Sequence, residues 1–279
     1  MKKIQIYAFS DEAGAPLEEQ IAALKRNGLA GMEIRNVDNI NVSDLSKQQA
    51  KDIKEKLADN GLCVWSIGSP ISKISIEDDF EGHLGKFRHT LEIAEILQAK
   101  NMRLFSFFIP KEKEADDYQT AVFERMGQFV RAAENYDITL CHENEKGIFG
   151  DKEERCLAIH KAFPTIKSVF DPANFVQCGV DTKKAWEMLK EYVHYVHIKD
   201  ALADGYVVPA GKGAGNVAHI VKDYMANGGK HFTIEPHLKV FSGFAELEQG
   251  EAFKSHLSFA DNHSAFDTAC NSFKELIGG

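Results

Sequence analysis

An α/β fold, a single (β/α)8 TIM barrel over residues 1–279, is what the sequence predicts, and three observations predict it. The length of 279 residues suits one barrel domain, typically about 250 residues. Short β-type runs alternate with helical stretches eight times from end to end. Alternating units build a parallel sheet, and eight of them close it. No Gly-x-Gly-x-x-Gly follows the first strand-like run, which argues against an open dinucleotide-binding sheet.

The first strand falls over residues 4–9, and Pro16 opens a helix to about residue 25 that Asn27-Gly28 ends. Strand two, 31–35, alternates. Met32 and Ile34 share the face that meets the helices, so Glu33 and Arg35 point into the barrel, as a structural pair or as sugar-hydroxyl contacts. Ser43 reads as the N-cap of a long helix that stops at Asn60-Gly61. Strand three covers 62–67 and its helix 79–98; strand four covers 102–109 and its helix 117–135. Strands five and six, at 138–143 and 166–171, lead to helices over 152–162 and 182–192. Strand seven, 193–199, is followed by a Gly-rich loop and a helix over 217–227. Strand eight is 231–235, and a helix over 264–277 closes the chain. The segment 241–253 is longer than most barrel loops and reads as a cover for a binding site. Trp65, Phe105 and Phe107 read as core.

Composition narrows the function. The chain has 33 basic and 42 acidic side chains, a net charge of −9, and such a surface repels a polyphosphate backbone. Nucleic acid is therefore not an expected partner. Five cysteines without a CxxC pair suit a reducing cytoplasm better than a disulfide framework or a zinc ribbon. The N-terminus lacks the long apolar stretch of a secretory signal, and no run reaches the length of a membrane span. The expectation is a cytoplasmic enzyme acting on a small molecule, with no membrane partner and with homo-oligomerisation left open.

Barrel enzymes carry their chemistry at the C-terminal ends of the strands. Here strand five ends Cys141-His142-Glu143-Asn144-Glu145 and strand six ends Phe170-Asp171-Pro172. Strand seven carries His194 and His197 before Lys199-Asp200, and strand eight ends Ile234-Glu235-Pro236-His237. Singly, each has a plainer reading: a solvated Glu, an Asp in a turn, a barrel histidine. Together, four consecutive strands bring a carboxylate or imidazole to one rim. Three carboxylates and one neutral imidazole suit one divalent ion such as Mn2+, Mg2+, Co2+ or Zn2+.

Five segments carry a resemblance: His-Glu-Asn-Glu-Lys-Gly at 142–147, Phe-Asp-Pro-Ala-Asn-Phe at 170–175, Val-His-Ile-Lys-Asp-Ala at 196–201, Val-Pro-Ala-Gly-Lys-Gly at 208–213 and Ile-Glu-Pro-His at 234–237. With them the chain resembles the xylose isomerase-like TIM barrel superfamily, in its sugar phosphate isomerase/epimerase branch, over nearly its whole length. The resemblance implies that Glu143, Asp171, His197 and Glu235 bind one divalent ion. It also implies an isomerase or epimerase in which a sugar, sugar phosphate or polyol forms an enediolate, with Glu143 and Glu235 moving the protons.

Asn174 departs from some epimerases of the family, which have a substrate-contacting His there; Asn can hydrogen-bond but not carry a proton. Lys199 and His237 share strand phase with His197 and Glu235 and are substrate candidates, beside Asn174, Arg35 and Lys73. Lys199 reads equally as a salt-bridge partner of Asp200 or another carboxylate. Ser69, Arg103 and Ser106 are weaker candidates. The loop Gly211-Lys212-Gly213-Ala214-Gly215 precedes a helix and reads weakly as a phosphate cradle. Two other functions use related sites. An inosose-type dehydratase would use the same metal and expel water. An apurinic-site endonuclease needs a further His where Asn174 stands and where strand three offers only Trp65-Ser66.

Overall fold

A computed structural model describes residues 4–242, 244 and 256–278. Eight strands form a closed barrel in chain order: β1 Gln5–Ala8, β2 Gly31–Ile34, β3 Cys63–Ile67, β4 Asn101–Leu104, β5 Thr139–Glu143, β6 Lys167–Phe170, β7 Val193–Ile198 and β8 His231–Ile234. All neighbouring pairs are parallel, and β8 closes onto β1 with Gln5 opposite His231. Among the described residues the helices are α1 Leu17–Arg26, α2 Lys47–Asp59, α3 Phe80–Leu97, α4 Gln119–Ala133, α5 Glu153–Ala162, α6 Pro172–Gln177, α7 Thr182–Leu189, α8 Val217–Ala226 and α9 Asn262–Gly278. The single (β/α)8 barrel expected from the sequence is the fold observed.

Alternation along each strand divides the apolar from the polar. Met32, Ile34, Met102, Leu104, Phe170, Val196, Phe232 and Ile234 are buried in the layer between strands and helices. Inside the barrel the lower end is filled by aromatic rings: Tyr7 stacks on Trp65 at 4.9 Å, and Trp65 lies 4.1 Å from His231. Cys141, Val169 and Tyr195 pack above them. The buried carboxylates Glu143, Asp171 and Glu235 stand at the upper end, where the strands stop.

Three local expectations are corrected. Ser46, not Ser43, caps α2, through a reciprocal capping box with Gln49, while Ser43 sits in a short 3-10 turn before it. Strand four ends at Leu104 instead of running to residue 109. Beyond it Phe105, Phe107 and Phe108 bond to the carbonyls of Ile71, Ser72 and Ile74, and Phe107 joins the aromatic cluster of Phe80 and Phe129. The Asp171-Pro172 turn opens an extra helix, α6, with Asp171 as N-cap and Pro at its first position. Most of the 241–253 loop lies outside the described residues; of the part described, Phe241 packs over Arg35.

Gly31 fixes how closely β2 and β3 approach, because a Cβ there would press into the carbonyl oxygen of Cys63. Gly31→Ala is expected to cost about 2–4 kcal/mol in urea unfolding. A loss below about 1 kcal/mol would show that the strands can separate at no real cost.

Candidate active site

Each strand end delivers its inward residue to the same point. Glu143 ends β5, His197 lies in β7, and Asp171 and Glu235 each stand one residue beyond β6 and β8. All four are buried, and each offers a ligand atom within 4.8 Å of the others. His197 Nδ1 faces the carboxylates: Glu143 Oε1 at 2.9 Å, Glu235 Oε2 at 3.3 Å and Asp171 Oδ2 at 3.9 Å. Its other nitrogen, Nε2, lies 3.1 Å from Glu33 Oε2. Glu33 is held in turn by the hydroxyl of Tyr195 at 2.8 Å and by Ser66 at 3.3 Å. With Glu33 accepting Nε2–H, loss of the Nδ1 proton leaves a lone pair aimed at the cluster, the arrangement usual behind a metal-binding histidine.

The charges shape each other. Burial alone would depress the imidazolium of His197, but Glu143 and Glu33 outweigh it and hold the ring well above its ordinary value. Burial, aided by Glu235 and Glu143, pushes Asp171 up to about 7 even with Lys199 beside it. Burial would also raise Glu235, yet Lys199 and His237 hold it well below the carboxylate range. Asp171 Oδ2 is buried with the Lys199 ammonium 2.9 Å away but no aligned hydrogen bond. Three carboxylates and one oriented imidazole fit a divalent ion of the kinds the sequence suggests.

The remaining candidates surround this centre. Lys199 Nζ reaches Asp171 Oδ2 at 2.9 Å and Glu235 Oε2 at 3.1 Å; of its two readings, the bridge is to these carboxylates and not to Asp200. Arg35 does not pair with Glu33. It donates to Asp11 at 2.9 and 3.1 Å and to Glu12 at 3.1 Å, with Nη1 3.6 Å from Glu235. His237 meets Glu12 at 3.1 Å and Glu235 at 3.5 Å. Glu12, Glu235 and His237 form a second cluster of ligand type, but there Arg35 already supplies the balancing charge. Asn174 donates its backbone N–H to Asp171 Oδ1 at 2.9 Å and its amide to the Asn144 carbonyl at 2.9 Å and toward Glu143 at 3.4 Å. It braces two of the candidate ligands. Lys73 pairs with Glu145 at 2.9 Å near the rim.

Ser69 and Ser106 are buried away from this cluster: Ser106 bonds His142 on the outer face, and Ser69 donates to the Arg103 carbonyl. Arg103, the weak candidate, is central. It donates to Glu143 Oε2 at 3.0 Å and, with Arg35, lies over the ring of Phe9 at 4.9 and 4.6 Å. Asp11, Glu12, Asn144 and Phe9 were not singled out from the sequence. The first two follow β1 directly, so the strand-end rule applied to all eight strands would have found them.

The Gly-rich loop cradles an anion of its own. The N–H groups of Gly211, Gly213 and Gly215 donate to the Asp200 carboxylate at 3.0, 2.9 and 2.8 Å, and Ala201 adds a fourth at 2.9 Å. A Cβ at Gly213 or Gly215 would run into that carboxylate. The phosphate reading of this loop is therefore replaced by a structural one.

Two outcomes follow. Asp200→Ala strands four N–H donors and should cost about 2–4 kcal/mol in chemical unfolding, whereas a near-neutral result would mean the loop is held by other contacts. Asp171, raised by folding, carries a proton into the folded state, so its contribution favours folding at low pH and is withdrawn as pH rises from about 4 through about 7. In chelator, the thermal midpoint should fall more steeply across this window in the wild type than in Asp171→Asn; equal slopes would exclude Asp171 as the titrating group.

Similarity to known proteins bears on the family and the fold. A sequence model of the xylose isomerase-like TIM barrel matches residues 21–242. No curated protein matches the chain. Among solved structures, an L-ribulose 3-epimerase superposes with a TM-score of 0.75 at 17% identity, over 100% of this chain and 95% of that one. The IOLI protein with a bound zinc atom gives 0.74 at 13% identity, over 99% and 98%. The probable 3-DHS dehydratase AsbF of petrobactin synthesis from Bacillus anthracis gives 0.69 at 17% identity, again over 99% and 98%. At such identities these likenesses speak for the fold alone. Together with the family match over most of its length, they identify the chain as a member of the xylose isomerase-like TIM barrel family.

Proposed function

We propose that the protein is a divalent-metal-dependent isomerase or epimerase of an unphosphorylated sugar or polyol ketone. In this reading Glu143, Asp171, His197 and Glu235 hold the metal, and Glu143 and Glu235 also move protons. The observation that carries it is the convergence of four ligand atoms within 4.8 Å, with Glu33 behind His197 fixing which nitrogen faces them. An L-ribulose 3-epimerase and a zinc-containing protein among the structural relatives support it. An unphosphorylated substrate is favoured because Asp200 takes up the N–H groups that a phosphate would use.

A bound divalent ion would act as a Lewis acid toward the carbonyl and hydroxyl oxygens of the substrate. The protein's own residues do the rest. Glu143 and Glu235 come from strands separated by two others, so their carboxylates approach the substrate carbons from different directions. One removes the proton next to the carbonyl, and the electron pair moves onto the carbonyl oxygen. The other, having taken a proton from solvent, returns it to the opposite face for epimerisation, or to the neighbouring carbon for isomerisation, where a hydroxyl proton also passes between the two oxygens; the first then gives its proton back to solvent. Arg103 fixes Glu143 from behind through Oε2, while Lys199 holds Glu235 by Oε2, the oxygen that faces His197. Arg35, His237, Asn174 and Lys73 line the approach as substrate or positioning contacts. The dehydratase relative suggests a second reading, in which the same abstraction is followed by loss of a hydroxyl as water, protonated by whichever of Glu143 and Glu235 carries a proton.

Solvent-deuterium exchange across a panel of free ketoses, ketose phosphates and inososes, in Mn2+, tests this. Exchange should appear with free ketones, vanish in chelator, and fall at least about a thousand-fold in Glu143→Gln and Glu235→Gln. Full turnover after metal removal would sink the proposal. Exchange confined to ketose phosphates would remove the unphosphorylated substrate, and water loss from an inosose would select the dehydratase.

A further inference from the structure

Lys199 lies one residue beyond β7 and is buried with the ligand cluster. Its ammonium is 2.9 Å from Asp171 Oδ2 and 3.1 Å from Glu235 Oε2. Those are the same oxygens that face His197 Nδ1, at 3.9 and 3.3 Å. The lysine therefore touches the candidate ligand atoms themselves, not the outer oxygens of their carboxylates. An ion bound to either oxygen at about 2.0–2.2 Å would lie within about 5 Å of Nζ, with little water between to screen two like charges.

The backbone beside Lys199 is fixed. Its neighbour Asp200 accepts four main-chain N–H bonds from the 201–215 segment. Any relief must come from the side chain, and Glu145, itself paired with Lys73 at 2.9 Å, bears on Lys199 from nearby.

We propose that Lys199 is the built-in counter-cation of the site: a divalent ion competes with its ammonium for Asp171 and Glu235, and Lys199 thereby sets the metal affinity. Lys199 neutralises carboxylates that would otherwise repel each other in a water-poor space. It also weakens the hold on the metal and keeps a cation beside the oxygens of an arriving substrate. The inference rests on the metal reading above.

Calorimetric titration of the chelator-stripped full chain with Mn2+ and with Zn2+ tests it, on the wild type, Lys199→Met and Lys199→Arg. The Met variant should bind at least ten-fold tighter than the wild type, about 1.4 kcal/mol, and should melt at a lower temperature when metal-free. The gain in melting temperature on adding metal should be larger than in the wild type. The Arg variant, which keeps the charge, should stay near the wild-type affinity. If the metal-free Met variant does not fold, Lys199→Gln carries the same comparison. Equal or weaker binding in the uncharged variants overturns the inference while leaving the metal site standing. If neither wild type nor variant binds either ion, the metal reading itself fails, and this inference with it.

Discussion

The barrel mouth is organised around one cost: three carboxylates and an imidazole brought together where water is largely excluded. Ionised groups in such a space repel one another and lose hydration, so each needs a compensating charge or hydrogen bond. His197 stands at the centre because it alone touches Glu143, Glu235 and Glu33. The other cations divide the rest: Arg103 takes Glu143, Lys199 takes Asp171 and Glu235, and Arg35 takes Asp11 and Glu12. Phe9, between the two guanidinium groups, lets them share the barrel without touching. Remove the carboxylate cluster and this array of buried arginine and lysine has no purpose.

The same constraint explains the division of labour along the barrel. A closed ring of eight strands has one interior, and the lower part is filled by Tyr7, Trp65, Cys141, Val169 and Tyr195. Tyr195 belongs to both halves. Its ring packs on Trp65 below, while its hydroxyl bonds Glu33 above. The chain from apolar plug to Tyr195 to Glu33 to His197 ties the orientation of one imidazole to the packing of the core. Mutations in the plug are thus linked to the geometry of the site without touching it.

What the sequence made legible follows from how local each signal is. Period-two alternation, Asn-Gly stops and strand-end residues are local, so the eight units and the convergence of Glu143, Asp171, His197 and Glu235 could be read directly. Pairings were not. Glu33 and Arg35 alternate correctly, but that pattern gives no hint that one turns to His197 and the other to Asp11 and Glu12. The end of β4 at Leu104 was hidden because Phe105, Phe107 and Phe108 continue its apolar character while bonding to another segment. The Gly-rich loop had the composition of an anion cradle. It is one, but the anion is Asp200, a residue that only the fold brings to it.

Asn174 shows how much of the chemistry rests on the ligands themselves. Its amide spends its donors on the Asn144 carbonyl and on the approach to Glu143. It holds groups in place and moves no proton. In the proposed reaction proton traffic falls to Glu143 and Glu235, the second of which accepts a hydrogen bond from Lys199. Isomerisation, epimerisation and dehydration all begin with the same abstraction. They part at the second proton: to the neighbouring carbon, to the opposite face of the same carbon, or to a departing hydroxyl. The ligand set is common to all three. In the proposed reaction, what selects among them is which proton donor faces the bound substrate, the carboxylate braced by arginine or the one held by lysine.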